Sequence, residues 1–297
     1  MKDRFICLEM GGTHLRLGVV EADFSVLHFE KRPTRLLAEA PDKIACLAGL
    51  LRPLVALAGG ERVRAASLSL ASLMDRERRM VYSSPMVQGF DNLPLAQGLE
   101  EELGLPVVME KDVNLLLLYE VHRHGLPREG IVAGVFLGTG LGNAICVDGK
   151  VYRGFSGAAC ELGHIPVPGL AQPCGCGKPG CIELKACGRL LEELAARLSC
   201  PLEELFVRHG SHAQVKDILY HFAIAIAIEV TILDPAMVLL GGGVADMPGF
   251  PLQALQDMVR ENVRAPYPRE ALRFGRPSGD SQAGVVGAAM HASQVLS

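Results

Sequence analysis

IVAGVFLGTGLGNAICVDGKVYR, residues 131–153, decides how the rest of the chain is read. The apolar run from Ile131 reads as a strand, and it ends in the glycine-rich LGTGLGN at 137–143. NAICVDGKVYR (143–153) then reads as a hairpin with Asp148-Gly149 as its turn. The chain opens the same way. FICLEM (5–10) is an apolar strand followed by two glycines, and LRLGVV (15–20) and SVLHFE (25–30) flank the polar turn EAD. Strand, Gly-Thr turn and hairpin therefore occur twice, as an internal repeat.

Between and after these segments, strands and helices alternate. PDKIACLAGLLRPLVALAGG (41–60) has helical spacing, and Pro53 inside it predicts a kink or a break. AASLSLAS (65–72) and PVVMEK (106–111) read as strands, and NLLLLYEVHRHG (114–125) as a helix closed by Gly125. A loop rich in Gly, Pro and Cys covers 154–181. KDILYHFAIAIAIEVTILD (216–234) reads as a buried helix, MVLLGGG (237–243) as a strand ending in glycines, and AGVVGAAMHASQVL (283–296) as a small-residue helix. This alternation implies α/β layers.

Composition narrows the function classes. At 297 residues, 49% of them hydrophobic, the chain can bury the cores of two domains. The net charge is −4, and the densest basic run, RERR at 76–79, is interrupted by Glu77, so no nucleic-acid partner is expected. The most apolar stretch, FAIAIAI at 222–228, is far shorter than the ~20 residues of a membrane span, and the N-terminus lacks a signal-peptide core. A cytoplasmic protein is expected. Its nine cysteines are read as reduced thiols or metal ligands, not disulfides.

Three motifs carry chemistry. The first is His164 followed by CGCGKPGC at 174–181. One imidazole and three thiolates, from His164, Cys174, Cys176 and Cys181, suit a tetrahedral zinc, and four protein ligands make it structural. The competing reading is a set of buried small hydrophobes. Cys187 is a possible substitute ligand, whereas Cys7, Cys46, Cys146, Cys160 and Cys200 read as packing residues.

The second motif is a set of glycine turns directly after apolar strands: EMGGTH (9–14), LGTGLGN (137–143) and LGGGV (240–244). Glycine lets backbone N–H groups approach phosphate oxygens, and Thr adds a hydroxyl donor. One such turn says little, since tight turns need glycine anyway; three point to a nucleotide. None matches the P-loop or Rossmann fingerprint.

The third is a set of carboxylates beside these elements. Asp112 follows a strand and precedes a helix, Glu161 lies three residues before His164, and Glu183 lies just after Cys181. A carboxylate near a nucleotide can take a proton from a hydroxyl nucleophile. The alternatives are a helix N-cap for Asp112 and solvated loop carboxylates for Glu161 and Glu183.

Taken together these residues resemble the ROK family (repressors, open reading frames, kinases) of the actin-like/hexokinase superfamily, over nearly the whole chain. ELGHIPV…CGCGKPGCIE at 161–183 is similar to the family signature almost letter for letter. The resemblance implies an α/β fold of two ribonuclease-H-like (actin/hexokinase-type) domains flanking a nucleotide and sugar cleft. It places the small domain at 1–113 plus 283–297 and the large domain, with the zinc loop, at 114–282. ATP would be held by Glu9, Met10, Gly11, Gly12, Thr13 and His14, by Gly138, Thr139, Gly140, Leu141 and Gly142, and by Gly241, Gly242 and Gly243, with Mg²⁺ as the catalytic ion. Asp112, in EKDVN, would be the general base. Lys111, Asp112, Glu161, His164 and Glu183 would contact the sugar. A homodimer is common among similar proteins.

Within the family the chain resembles bacterial D-allose kinases most, on Lys111 before Asp-Val-Asn, the Gly-Thr-His opening and LDPAMVLLGGGVADMPGFP at 233–251. The expected activity is phosphorylation of a hexose 6-hydroxyl, with glucose and N-acetylmannosamine as alternatives to allose. A sugar-binding protein of weak catalysis is the other alternative. Two departures motivate it: Glu9 stands where the family has Asp, and Met86 stands where many members carry a sugar-binding Asn; in a third departure, ASLMD (71–75) replaces a Gly-x-Pro-Gly-type turn. A repressor is not expected, because the first nucleotide-binding strand begins within five residues of Met1, leaving no room for a helix-turn-helix. A zinc-ribbon module is not expected either, with one His/Cys₃ loop inside a large α/β chain.

Overall fold

The computed structural model describes residues 3–84, 87–126 and 129–297; Met86 falls outside them. In chain order the elements begin with strands β1 (Arg4–Met10), β2 (His14–Glu21) and β3 (Val26–Pro33). Helices α1 (Arg35–Glu39) and α2 (Lys43–Leu57) follow, then β4 (Val63–Leu70), β5 (Leu73–Met74) and β6 (Val81–Ser83). Next come α3 (Leu95–Leu103), β7 (Val107–Lys111) and α4 (Asp112–Arg123). Strands β8 (Ile131–Leu137), β9 (Leu141–Val147) and β10 (Lys150–Val151) precede α5 (Gly188–Arg197), α6 (Leu205–His209) and α7 (Ala213–Leu233). The chain closes with β11 (Met237–Gly241), α8 (Leu252–Glu261), β12 (Phe274–Gly275) and α9 (Ala283–Val295).

These elements form two compact units, Met1–Gly125 with Lys150–Ala159 and Ser278–Ser297, and Leu126–Gly149 with Cys160–Pro277. In the first, the sheet order is β3-β2-β1-β4-β7, antiparallel through β3, β2 and β1 and parallel through β1, β4 and β7. The two-residue period of β1 sorts its side chains between two cores. Ile6, Leu8 and Met10 pack with Leu47, Leu51 and Leu54 of α2 and Leu95 and Leu99 of α3. Phe5 and Cys7 face the other way, onto Leu115 of α4 and Val285, Ala288 and Ala289 of α9.

In the second unit β8 pairs antiparallel with β9 and parallel with β11, which pairs parallel with β12. Ala133, Val135 and Leu137 of β8 pack with Val238 and Leu240 of β11 and with the apolar faces of α5, α7 and α8. After β9 the chain reverses at Asp148-Gly149, both with positive φ (49° and 73°), the backbone that a two-residue I′ turn demands.

The helix does not break at Pro53: it is continuous from Lys43 to Leu57. Pro53 lies on its exposed side, and the residue four positions earlier, whose carbonyl loses its partner, is the exposed Gly49. Water can serve that carbonyl, so the helix survives. Among the described residues no helix is long and apolar enough to cross a membrane.

Candidate functional site

The first glycine turn belongs to the first unit. Glu9 lies opposite Arg16 across the β1–β2 ladder, and Arg16 Nη1 donates to Glu9 Oε1 at 2.9 Å. The turn that follows is braced from inside. Gly11 N donates to His14 O at 3.0 Å, Thr34 Oγ1 donates to Gly11 O at 2.6 Å, and Thr34 N donates to Thr13 O at 3.0 Å. Gly12, Thr13 and His14 themselves remain exposed.

Burial raises the Glu9 carboxyl above its usual range. Arg16 opposes the rise and the negative charge of Asp112 adds to it. A carboxylate is a hard oxygen donor of the kind that suits Mg²⁺, so Glu9 fits such an ion, with the negative charge of Asp112 adding to the field there. Arg16, however, already engages one oxygen of Glu9.

Asp112 is delivered by the junction of β7 and α4. Lys111, in extended conformation, is the N-cap, so Asp112 is the first helical residue and not the cap. Its Oδ1 accepts from Val113 N at 2.9 Å. Asp112 is half-buried, and burial raises its pKa against the pull of the local amides and Lys111. The side chain of Lys111 is buried, and its Nζ donates to Ala159 O at 3.3 Å.

Below this junction sits a charged cluster built on Glu110, which is fully buried. Its carboxylate accepts from Arg78 Nε at 3.2 Å, Arg153 Nε at 2.5 Å, Asn114 Nδ2 at 3.0 Å and the Lys111 amide at 2.8 Å. Burial alone would push the acid up; Arg78, Arg153 and His291 outweigh it and hold it at about 2. His291, from α9, is driven down to about 4 by burial and faces Arg153 Nη2 at 2.6 Å, so it is a neutral acceptor.

The other two glycine turns meet in the second unit, because β8 and β11 are paired with Gly241 beside Phe136. A Cβ on Gly242 (φ 93°) would stand 2.6 Å from both the nitrogen and the oxygen of Leu137, so only glycine fits there. The start of α5 docks on the turn at 138–140. Gly188 N donates to Gly138 O at 2.9 Å and Arg189 N to Thr139 O at 3.2 Å.

Glu183 connects this turn to the cysteine loop. Its Oε2 accepts from the Leu141 amide at 3.0 Å. Cβ atoms added at Gly140 or Gly163 would stand 2.6 and 3.2 Å from that same oxygen. Glu161 is the more exposed carboxylate, its Oε2 at 3.8 Å from His164 Nε2.

His164, Cys174, Cys176 and Cys181 converge, with ligand atoms all within 4.8 Å of one another. His164 Nδ1 lies 3.7 Å from Cys174 Sγ, and the Cys176 and Cys181 sulfurs lie 3.4 Å apart. Ligands at ~2.3 Å around a tetrahedral zinc stand roughly 3.5–3.8 Å from one another, so this soft donor set fits the ion. Nδ1 faces the sulfurs, which leaves Nε2 facing Glu161. Cys187 is fully buried at the start of α5 and is not in this group.

The sequence profile of the ROK family matches residues 5–295. The chain belongs to the ROK family. Glucokinase of Streptomyces coelicolor is 29% identical over 318 residues, covering 96% of each chain. N-acetylmannosamine kinase of Salmonella heidelberg is 29% identical over 295 residues, covering 96% of this chain and 97% of that one. The crystal structure of a ROK glucokinase from Streptomyces griseus, in complex with glucose and AMPPNP, superposes with a TM-score of 0.76 at 29% identity, covering 98% and 99% of the two chains. The α/β fold with mixed sheets is the actin-like, ribonuclease-H-like type of ROK hexokinases.

Several residues that shape this ROK protein's candidate site belong to no chemical motif in the sequence. Arg78 sits in RERR, the densest basic run of the chain, yet only 3% of its surface is exposed. Glu110 sits inside an apolar strand, and a carboxylate at such a place was the available clue. Arg16, Thr34 and Gly188 act through pairings that only the fold creates.

Proposed function

We propose that this ROK protein is an ATP-dependent hexose kinase that phosphorylates the 6-hydroxyl. D-allose is the first candidate substrate, ahead of D-glucose and N-acetylmannosamine. The observation that carries the reading is Asp112, a half-buried carboxylate of raised basicity at the first position of α4. Such a group takes up a proton more readily than a solvated aspartate.

In the proposed reaction Asp112 accepts the proton of the 6-hydroxyl as its oxygen bonds to the γ-phosphorus. The bond from that phosphorus to the bridging oxygen breaks, and ADP leaves. The amides of Gly12 and Thr13 and of Thr139 and Gly140 are assigned to the phosphate oxygens, where they would offset the spreading charge, and the turn Gly241–Gly243 is assigned to the adenosine. Mg²⁺, when bound, neutralises phosphate charge, and Glu9 would hold it through water. Zinc, when bound to His164, Cys174, Cys176 and Cys181, is structural. Glu161 and His164 Nε2 are assigned to sugar hydroxyls, and Glu183 to the sugar and to the Leu141 amide.

The preference for allose rests on the resemblance carried by Lys111, the Gly-Thr-His opening and residues 233–251; Lys111, a long cationic donor beside the base where glucose-using members carry Asn, fits a change of hexose epimer without naming it. A second reading, a sugar-binding protein of weak catalysis, is favoured by the Glu9–Arg16 pair, which competes for the carboxylate that would serve Mg²⁺. ADP release measured across a panel of hexoses and their N-acetyl derivatives separates the two. Turnover with one hexose supports the kinase; sugar binding without ADP release supports the second reading. Highest kcat/KM on glucose would remove allose from first place.

A further inference from the structure

Glu229 lies in the apolar stretch of α7, among the buried Ala225, Ile226, Ala227 and Val230, and is itself only 5% exposed. Its Oε1 accepts from Asn143 Nδ2 at 2.8 Å, and its Oε2 has no hydrogen-bond partner. A lone ionised carboxylate is costly in such surroundings. Burial accordingly raises its pKa to about 7, with the Asn143 hydrogen bond pulling the other way. The phosphotransfer chemistry proposed above has no use for this acid.

Asn143 shows what it serves. This side chain is also buried, and its Oδ1 accepts from the Leu162 amide at 3.0 Å. The backbone amide is a donor only, so the oxygen must face Leu162 and the NH₂ group must face Glu229. The orientation of Asn143 is thus fixed from both ends. Leu162 begins the single 3-10 turn Leu162–His164, closed by His164 N donating to Glu161 O at 2.9 Å. Glu161 and His164 bracket the amide that Asn143 holds.

We propose that Glu229, acting through Asn143, is a positioning residue that fixes the Leu162–His164 turn and thereby the two side chains assigned to the sugar. The functional consequence rests on the hexose-kinase reading; the structural link does not. With an apolar residue at 229, the Asn143 NH₂ group is buried without an acceptor. The side chain then turns or draws in water, and the Leu162 amide loses its fixed partner. Glutamine at 229 retains an acceptor oxygen.

The test compares Glu229→Leu, Asn143→Ala and Glu229→Gln with the wild type as full-length, zinc-loaded protein. In Glu229→Leu and Asn143→Ala, KM for the best hexose of the panel rises about tenfold, the effect of one lost buried hydrogen bond. KM for ATP and zinc content stay at wild-type values, and hydrogen exchange of peptides spanning Leu162 speeds up. Glu229→Gln restores both readouts. Wild-type hexose KM and exchange in the first two variants overturn the proposal, as does an equal rise of both KM values with loss of zinc, which marks a general structural defect. If the wild type turns over no hexose, the kinase reading falls and the exchange data alone decide the link. If Glu229→Leu does not fold, Asn143→Ala carries the same comparison.

Discussion

Gly284 makes room for Glu9: a Cβ at position 284 would stand 2.4 Å from Glu9 Oε2 and 2.5 Å from its Cδ. The residue that replaces the family's usual aspartate is one methylene longer, and the first turn of α9 accommodates it by having no side chain there. Gly284→Ala therefore destabilises by about 1–3 kcal/mol through overpacking, although alanine is the better helix former by about 1 kcal/mol. The double variant Glu9→Asp/Gly284→Ala recovers most of that loss. A double-mutant cycle by urea denaturation checks it; additive effects of the two changes would refute the contact as the cause.

The Glu110 cluster predicts a specific acid sensitivity. The Glu110 carboxyl is held at about 2 in the folded protein, below its ordinary value of 4.5. Its contribution is therefore fully present above pH 4.5 and is lost as pH falls toward 2, a window worth roughly 3 kcal/mol. Glu110→Gln removes this part of the acid dependence. Arg78→Leu leaves the acid buried without a main partner and costs about 3–5 kcal/mol at neutral pH. Stability measured by urea unfolding from pH 3 to 7 tests both, and identical pH profiles for wild type and Glu110→Gln would contradict the assignment.

Zinc loss should act on sugar affinity as well as on stability. The cysteine loop is joined through Cys181 to Glu183, and through His164 to the turn at Leu162–His164. Metal analysis is expected to find about one zinc per chain. Cys176→Ser lowers the metal content and weakens hexose binding at least about threefold. Titration calorimetry with the hexose reads this directly, and normal affinity in a zinc-free variant would break the coupling.

Much of this architecture was legible in the sequence because periodicity and glycine placement are local signals. The strands at 4–10 and 131–137, both hairpins and the three glycine turns fall where apolar runs and turn residues place them. The cysteine spacing announced a cluster that the fold does assemble. What stayed hidden depends on partners far apart in the chain. Helices at 95–103, 188–197 and 252–261 are amphipathic but carry no chemical motif. Pro53 looked like a breaker, because only the fold shows that its face of α2 is exposed. Glu110 with Arg78 and Arg153, and Glu229 with Asn143, are polar residues inside apolar stretches. Their meaning appears only when strands and helices distant in sequence bring the partner side chain alongside.

Asp112→Asn probes the proposed role of Asp112 as the base toward a hexose hydroxyl. Asparagine keeps the size and the hydrogen-bond acceptor facing the Val113 amide but cannot take up the proton. In this variant kcat for the best hexose is expected to fall by at least about a hundredfold, while the hexose Kd from calorimetry changes by less than about threefold. A variant with wild-type-like turnover would contradict it.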